Sequence, residues 1–188
     1  FEALSPHVSR GAAIVGLAPS CLLSLRDEFL AMGFGDAAVR LAGRAMLVEE
    51  FLAREHAAGR LRLPLGAIAQ KRALVHGHCH QKAFDALSPT VAMLKLVPGL
   101  AVDVVESSCC GMAGSFGYEA EHHELSMRMA ELSLLPAVRA ADADTLVVAD
   151  GTSCRHQIAD GTRSGGAGRE AVHAIRGRAS ALRTAPTP

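Results

Sequence analysis

The sequence has no tryptophan, a single tyrosine and no net charge. Its 188 residues include 19 basic and 19 acidic side chains, with nine histidines counted as neutral. A nucleic-acid-binding protein usually presents a basic face, and single strands stack on aromatic side chains. Both features are missing from this composition, so we expect no nucleic-acid partner.

Long apolar runs are also missing. None of them approaches the roughly 20 residues that span a bilayer, so we predict no transmembrane segment. No signal peptide is visible, and the chain opens Phe-Glu-Ala without Met, so we expect a piece of a longer protein. We expect that protein in the cytoplasm and leave peripheral attachment to the inner membrane open.

The cysteines do not suit a disulfide-bonded domain, because their number is odd and two are adjacent. Neighbouring cysteines rarely bridge each other, and secreted domains usually carry an even, spaced set. We interpret them as thiols in a reducing compartment that can bind metal; burial as small apolar side chains is the alternative. The cysteines are Cys21, Cys79, Cys109, Cys110 and Cys154.

Short β-branched runs alternate with longer stretches rich in Ala, Leu, Glu and Arg. The runs, which are typical of buried parallel strands, lie at residues 12–17, 73–76, 101–105 and 145–149. The predicted helices lie at residues 36–56, 81–96, 119–141 and 169–182. This alternation predicts an α/β fold with a layered, Rossmann-like, mainly parallel sheet and helices on both faces.

Two details of the predicted helices can be checked. Prolines should interrupt them near Pro89 and Pro136. Apolar residues at helical spacing should form the buried stripes. In the third helix these residues are Leu125, Met129, Leu132 and Leu135, and the first helix has a similar stripe that includes Val39.

All five cysteines follow predicted strands by three to five residues. The carboxyl ends of parallel strands meet at one edge of a sheet, where α/β proteins bind their ligands. Thiolates at helix starts have lowered pKa values, which would favour Cys79 and Cys154 as metal ligands. The sequence therefore predicts one shared thiolate site for zinc or an iron–sulfur cluster.

Residues next to the cysteines complete the candidate site. Gly111 and Gly114 would let backbone N–H groups approach the sulfurs of a cluster. His78 and His80 flank Cys79. Because alternate residues of an extended chain point to opposite sides, we expect at most one of the two imidazoles to face the site.

An internal similarity indicates a duplicated module. Residues 13–21 and 146–154 both run from an apolar strand through a small turn to Ser-Cys. We predict that residues 1–72 are the remainder of a first module plus a connecting helix, that 73–183 are a complete second module, and that 184–188 are disordered. The exposed edge left by an incomplete first module would favour a homodimer.

The segments His78-Cys79-His80, Cys109-Cys110-Gly111 and Ser153-Cys154 resemble the cysteine-rich CCG domain of heterodisulfide reductase B subunits and glycolate oxidase iron–sulfur subunits. Residues 106–119 and 150–158 are most similar to the C-terminal region of large FAD-linked oxidases fused to iron–sulfur segments. The resemblance covers residues 12–160. It implies an iron–sulfur electron-transfer domain of a FAD-linked oxidoreductase acting on D-lactate, glycolate or 2-hydroxyglutarate.

The same resemblance implies the ligands and the partners. Cys79, Cys109, Cys110 and Cys154 would hold the cluster, expected to be 4Fe–4S, with Cys21 as a further candidate. A flavin domain carrying FAD and a ferredoxin-like domain would belong to the intact protein, so this chain alone should lack full catalytic activity.

One departure from the family pattern keeps other functions open. The fullest motif ends in Cys-x-x-Cys, but Gly151 and Gln157 stand three residues before and after Cys154. One thiolate is therefore missing, and four thiolates suit either a cluster or a single zinc. A zinc-binding structural or interaction domain without redox turnover is the alternative, and a metal-free docking domain is a third.

Overall fold

A computed structural model of the chain describes residues 2–107, 109–163 and 168–182. Strands and helices alternate along it. The strands are β1 (Ile14–Gly16), β2 (Ala45–Leu47), β3 (Arg72–His76), β4 (Ala101–Val104) and β5 (Leu146–Ala149). The α-helices are α1 (Ser5–Ser9), α2 (Pro19–Leu23), α3 (Glu28–Ala31), α4 (Asp36–Ala42), α5 (Val48–Ala57), α6 (Cys79–Ala83), α7 (Leu87–Leu94), α8 (His123–Glu131), α9 (Leu134–Ala140), α10 (Thr152–Arg163) and α11 (Ala174–Ala179).

The strands of the described residues form two parallel sheets. In the smaller sheet β1 pairs with β2, and Val15 lies opposite Met46. In the larger sheet β3 lies between β4 and β5, so that Leu74 is opposite both Asp103 and Val147. Because β3, β4 and β5 run in the same direction, their carboxyl ends meet at one edge. The predicted layered α/β fold is confirmed.

Helices cover both faces of the larger sheet. Val75 and Val148 pack on one face in a core with Leu94 of α7 and Ala174 of α11. The preceding residue along β5, Val147, points the opposite way and packs in a core with residues of α9 and α10. Burial on both faces explains why β5 is continuously apolar rather than alternating.

The internal similarity extends to the local structure. Cys21 and Cys154 are each the third residue of a helix that follows a parallel strand, α2 after β1 and α10 after β5. Further along the chain, β2 pairs in parallel with β1, and Val172 bridges in parallel to Val148. A helix starts within two residues of each of these partners: α5 follows β2, and α11 follows Val172. The duplication itself stays a prediction.

The single helix predicted for residues 36–56 is wrong. The structure has α4 and α5 there, separated by β2. Ala45 and Leu47 of β2 are buried in the small-sheet core, and pairing with β1 outweighs the high helix propensity of Ala, Met and Leu. Val39, which the stripe placed inside, is 62% exposed on α4.

The predicted break at Pro89 and kink at Pro136 are misplaced. The interruptions fall earlier, between α6 and α7 and between α8 and α9. Each proline lies at the third position of the helix that follows. Backbone N–H groups in a first turn have no partner within the helix, so proline loses nothing there.

The stripe predicted on residues 119–141 is only partly right. Leu135 is fully buried, but Leu125 is 43% exposed and Leu132 is 77% exposed. Helix α8 instead buries Ser126 and Ala130. The break after Glu131 changes the direction of the chain, so one helical spacing cannot describe both halves.

The last predicted helix is too long, because residues 168–173 are not helical and α11 covers only Ala174–Ala179. The predicted disordered tail, 184–188, lies outside the described residues. Within the described ranges, every helix is too short or too polar to cross a bilayer.

Candidate metal centre

The carboxyl edge of the larger sheet brings four of the five cysteines together. Cys79 opens α6 after β3, Cys109 and Cys110 lie in the loop after β4, and Cys154 is in the first turn of α10 after β5. Side chains and backbone from these segments and from α2 surround a cavity of about 270 Å³. Its lining is Ser20, His78, Cys79, His80, Cys109, Cys110, Ala113, Gly114, Ser153 and Cys154.

The four sulfurs form a chain of hydrogen-bonding contacts from Cys79 through Cys109 and Cys110 to Cys154. Thiol donation from Cys110 and then Cys79 lowers the pKa of Cys109. Donation from Cys110, with help from His76, lowers the pKa of Cys154 to about 5. Donating to these neighbours raises the pKa values of Cys79 and Cys110, and burial raises them further. Thiolate character therefore concentrates on Cys109 and Cys154.

Backbone groups support the Cys109 thiolate. The N–H of Gly111 donates to Sγ of Cys109 at 3.3 Å. The backbone N–H of Ala113 acts in the same direction, and both lower the pKa of the thiol. Sequence reasoning expected N–H groups of this glycine-rich loop to approach the sulfurs of a cluster; that stays a prediction, and the Gly111 N–H here bonds a cysteine sulfur.

His76 is a buried histidine of this site that sequence reasoning missed. It ends β3, is 1% exposed, and its Nδ1 lies 2.8 Å from Oγ of Ser107. One of its ring nitrogens and the Sγ atoms of Cys110 and Cys154 all lie within 4.8 Å of one another. A histidine at the end of an otherwise apolar buried strand was the available signal, because burying an imidazole is costly unless it has a partner.

His78 and His80 both line the cavity, so the expectation that at most one faces the site is wrong. His78 is the N-cap of α6, and its Nδ1 accepts the His80 N–H at 3.2 Å. The two rings stack with centroids 5.4 Å apart. The strand ends before His78, so the alternation of an extended chain does not apply. Burial lowers the pKa of His78.

Gly151, one of the two positions at which the family pattern would place a further cysteine, lies beside the site. A Cβ placed on Gly151 would lie 2.4 Å from Cδ2 of His78 and 3.0 Å from Sγ of Cys154. The His78 ring therefore fills the space that a side chain at residue 151 would enter.

The two predicted glycines have different roles. Gly111 has φ +90°, and a Cβ there would lie 2.1 Å from the carbonyl oxygen of Ser126. It is thus required for packing against α8 as well as for approach to Cys109. Gly114 has φ +70° with no atom within 4 Å of its Cβ position, and it lines the cavity.

Cys21 is exposed and does not line the cavity, although its neighbour Ser20 does. The Ser20 hydroxyl lies 4.0 Å from Sγ of Cys21. Helix α2 thus presents its first turn to the site with the cysteine directed elsewhere. Ligation by Cys21 stays a prediction that would need this helix to turn.

Below the cysteines, a buried polar network begins at Asp150, which directly follows β5. Its carboxylate accepts hydrogen bonds from Nε2 of Gln81 at 2.7 Å and from the backbone N–H of Ala174 at 2.9 Å. Gln81 also accepts the His78 N–H at 3.0 Å, which completes the cap of α6. The network therefore holds α6, and with it Cys79, against β5.

The donor set fits a metal centre. Thiolates and imidazole are the ligands of zinc and of iron–sulfur clusters, and the buried edge of His76 has a ring nitrogen, Nε2, without a hydrogen-bond partner among the described residues. A larger cavity of about 520 Å³ lies beside α7 and β4. The cysteines do not line it, so we assign the chemistry to the smaller one.

Comparison with known proteins points to dehydrogenases. Over 149 residues the chain is 30% identical to the C subunit of anaerobic glycerol-3-phosphate dehydrogenase from Escherichia coli (strain K12), a match that covers 79% of this chain and 36% of that protein. It is 31% identical over 150 residues to D-2-hydroxyglutarate dehydrogenase of the same strain, a match that covers 79% of this chain and 14% of that protein. The Haemophilus influenzae D-2-hydroxyglutarate dehydrogenase is 30% identical over 165 residues, a match that covers 84% of this chain and 15% of that protein.

The chain thus spans about a third or less of the length of these curated relatives. No protein-family profile and no solved structure matches it. The class of protein to which the chain is similar agrees with the oxidoreductase context that the sequence resemblance implied. Membership of the CCG family stays a prediction.

Proposed function

We propose that this chain is an iron–sulfur electron-transfer domain of a FAD-linked oxidoreductase. The observation that carries the proposal is the convergence of Cys79, Cys109, Cys110 and Cys154 on one cavity, with thiolate character already concentrated on two of them. A bound cluster, which we propose is 4Fe–4S, would take up and release single electrons.

The chain's own residues prepare the site for a negatively charged group. The first turn of α10 and the N–H of Gly111 point partial positive charge at the sulfurs. The positive charge of Lys82 lowers the pKa of Cys79, opposing the larger effect of its thiol neighbour. Burial of Cys110 and Cys154 keeps water from the inner side of the cavity.

The relatives suggest the setting of the domain. Their names describe dehydrogenases of glycerol-3-phosphate and of D-2-hydroxyglutarate. We propose that a flavin domain of the intact protein oxidises a 2-hydroxy acid or a similar alcohol, and that electrons pass through this domain and a ferredoxin-like partner. The cysteines of the described residues are thiols rather than disulfides, which supports a reducing, cytoplasmic compartment.

The matching local structure around Cys21 and Cys154 supports a duplicated architecture. We propose that residues 1–72 belong to a first module and residues 73–183 to the second. The unpaired side of the small β1–β2 sheet would then be completed by further chain or by a second copy. Size-exclusion chromatography that finds only monomer would exclude the homodimer.

A zinc site in a structural or interaction domain is the second candidate. The grouping of His76 with Cys110 and Cys154 within 4.8 Å favours it, because three such ligands with one more thiolate make a tetrahedral zinc site. Colour separates the two candidates, since iron–sulfur clusters absorb visible light and zinc does not.

The experiment is anaerobic purification, reconstitution with ferrous iron and sulfide, a visible spectrum and metal analysis. We expect brown protein with several irons per chain that dithionite bleaches reversibly. Cys109→Ser/Cys110→Ser should lose the iron and the colour. Cys21→Ser is the matched comparison: it should keep both if Cys21 stays outside the cavity as it does in the structure, and loss of iron in this variant would make Cys21 a ligand. Colourless protein with one zinc would favour the second candidate, and protein that binds neither metal would overturn both.

A further inference from the structure

We propose that His76, through Nε2, is a direct ligand of the metal at this site, so that the ligand set mixes imidazole with thiolates. The inference rests on the proposed metal centre and goes beyond it, because the cysteine pattern alone predicts ligation by sulfur only. The evidence for it is the environment of the His76 imidazole.

The His76 ring has one satisfied and one unsatisfied nitrogen. Nδ1 lies 2.8 Å from Oγ of Ser107. Nε2 is buried and makes no hydrogen bond of normal length and angle within the described residues; its only polar neighbours named there are the sulfurs of Cys110 and Cys154. A buried polar atom that is left without a partner destabilises the fold. A metal bound to Nε2 would remove that cost.

The Ser107 contact is what a metal-binding histidine needs. With the proton on Nδ1 donated to Ser107, the lone pair of Nε2 is free. Histidine ligands of metals almost always give their other ring N–H to a nearby oxygen, which holds the tautomer and the ring orientation. Ser107 is also held in place by α6, because its backbone oxygen accepts a hydrogen bond from Nζ of Lys82.

The remaining ligands are within reach. One ring nitrogen of His76 and the sulfurs of Cys110 and Cys154 lie within 4.8 Å of one another, and all three residues are buried. The two sulfurs of this group come from the loop after β4 and from α10. Three separate segments therefore converge on one point at the end of β3.

The other two histidines are weaker candidates. Nδ1 of His78 already accepts the His80 N–H, which ties that ring to the cap of α6. His80 also has an unpartnered Nδ1, but its side chain is 32% exposed and its Nε2 lies 3.8 Å from Glu28. Neither ring forms a group of three close ligands with the cysteine sulfurs among the described residues.

Mixed ligation would change the properties of the centre. A neutral imidazole in place of a thiolate makes the site less negative, and in two-iron centres with two histidines it raises the reduction potential. We therefore expect His76→Cys to retain metal and to shift the potential of the reconstituted centre downward.

The test is electron–nuclear double resonance on the reduced, iron-reconstituted chain, prepared with ¹⁴N- and ¹⁵N-histidine, together with X-ray absorption of the zinc-loaded chain. The wild type should show a strongly coupled histidine nitrogen, and zinc should show a nitrogen neighbour at about 2.0 Å beside sulfur at about 2.3 Å. His76→Gln should lose the nitrogen signal, while the matched variants His78→Gln and His80→Gln should keep it.

The outcomes are separable. Metal held by sulfur alone in the wild type would assign His76 to hydrogen bonding with Cys154 and overturn the inference, while the metal centre would stand. Loss of the signal in His80→Gln rather than in His76→Gln would also overturn it. A chain that binds no metal would overturn the proposed function and this inference together. The wild-type spectra decide the question even if His76→Gln does not fold.

Discussion

Gly111 contributes both to the cysteine site and to the packing of the loop against α8. Its N–H supports the Cys109 thiolate, and its missing side chain lets the loop lie against the backbone of α8 at Ser126. A positive φ and a close backbone contact coincide there, so two separate physical reasons favour glycine.

Gly111→Ala should destabilise the fold by about 3 kcal/mol or more, because the new Cβ would lie 2.1 Å from a backbone oxygen and φ is +90°. Gly114→Ala is the matched control. Its φ is +70° with open space around it, so only the backbone strain of about 1 kcal/mol applies. Urea unfolding measures both. Equal losses of stability in the two variants would show that the close contact with Ser126 is not what requires glycine at position 111.

Helices α8 and α9 show how tertiary packing overrides an apolar pattern. Their leucines recur at helical spacing, yet the chain breaks between Glu131 and Leu134 and changes direction. Ser126 on α8 is buried because Nε2 of Gln157 donates to both its carbonyl and its hydroxyl, at 3.0 and 2.9 Å. The polar side chain faces the core, and some leucines face solvent.

Two leucines on either side of the break give a matched pair. Leu134→Ala should cost about 2–5 kcal/mol, because Leu134 is 0% exposed in the core with Val138 and Ile158. Leu132→Ala should change stability by less than about 0.5 kcal/mol, because Leu132 is 77% exposed. Thermal and urea unfolding of both variants checks this. A large loss in Leu132→Ala would mean that a partner covers that surface.

A buried polar contact joins the two sheets of the molecule. Glu49, at the start of α5, is 1% exposed, and its oxygens make no hydrogen bond within the described residues. Nδ1 of His173, the N-cap of α11, lies 3.6 Å from Glu49 and 3.4 Å from Asp150. Nε2 of His173 donates to the carbonyl of Leu17 at 2.8 Å, which ties α11 to the end of β1.

This contact predicts a dependence of stability on pH. Burial, and then the negative charge of Asp150, raise the pKa of Glu49 from 4.5 to about 8. The folded state therefore holds a proton that the unfolded state releases, and this contribution to stability is complete below pH 4.5 and is lost as pH rises towards 8. The free energy of unfolding should fall by up to about 1.4 kcal/mol per pH unit within that window.

Glu49→Gln isolates the effect, because glutamine keeps the shape and cannot ionise. The variant should match the wild type near pH 4 and exceed it near pH 8, in urea titrations at several pH values. Glu131, a partly exposed glutamate that pairs with Arg139 on another part of the chain, provides the control Glu131→Gln, which should leave the pH dependence of stability unchanged. Parallel curves for wild type and Glu49→Gln would show that Glu49 does not hold the proton.

The sequence alone was sufficient for the α/β class, for four of the five strands and for the position of every cysteine just beyond a strand end. These features are local: a short β-branched run buries both faces of a strand, and parallel strands bring their carboxyl ends together. The convergence of Cys79, Cys109, Cys110 and Cys154 follows from that rule once β3, β4 and β5 share one sheet, whereas Cys21 follows a strand of the smaller sheet and does not line the cavity.

Only the tertiary structure decided the rest, because it depends on contacts between residues far apart in sequence. β2 is a strand because β1 lies beside it, and Leu132 is exposed because the chain turns before α9. In the sequence His76 is only the last residue of an apolar strand, and its ring is placed against the sulfurs of Cys110 and Cys154 by the fold. Burial and the direction of a ring are properties of the folded chain, and no spacing of residues in the sequence encodes them.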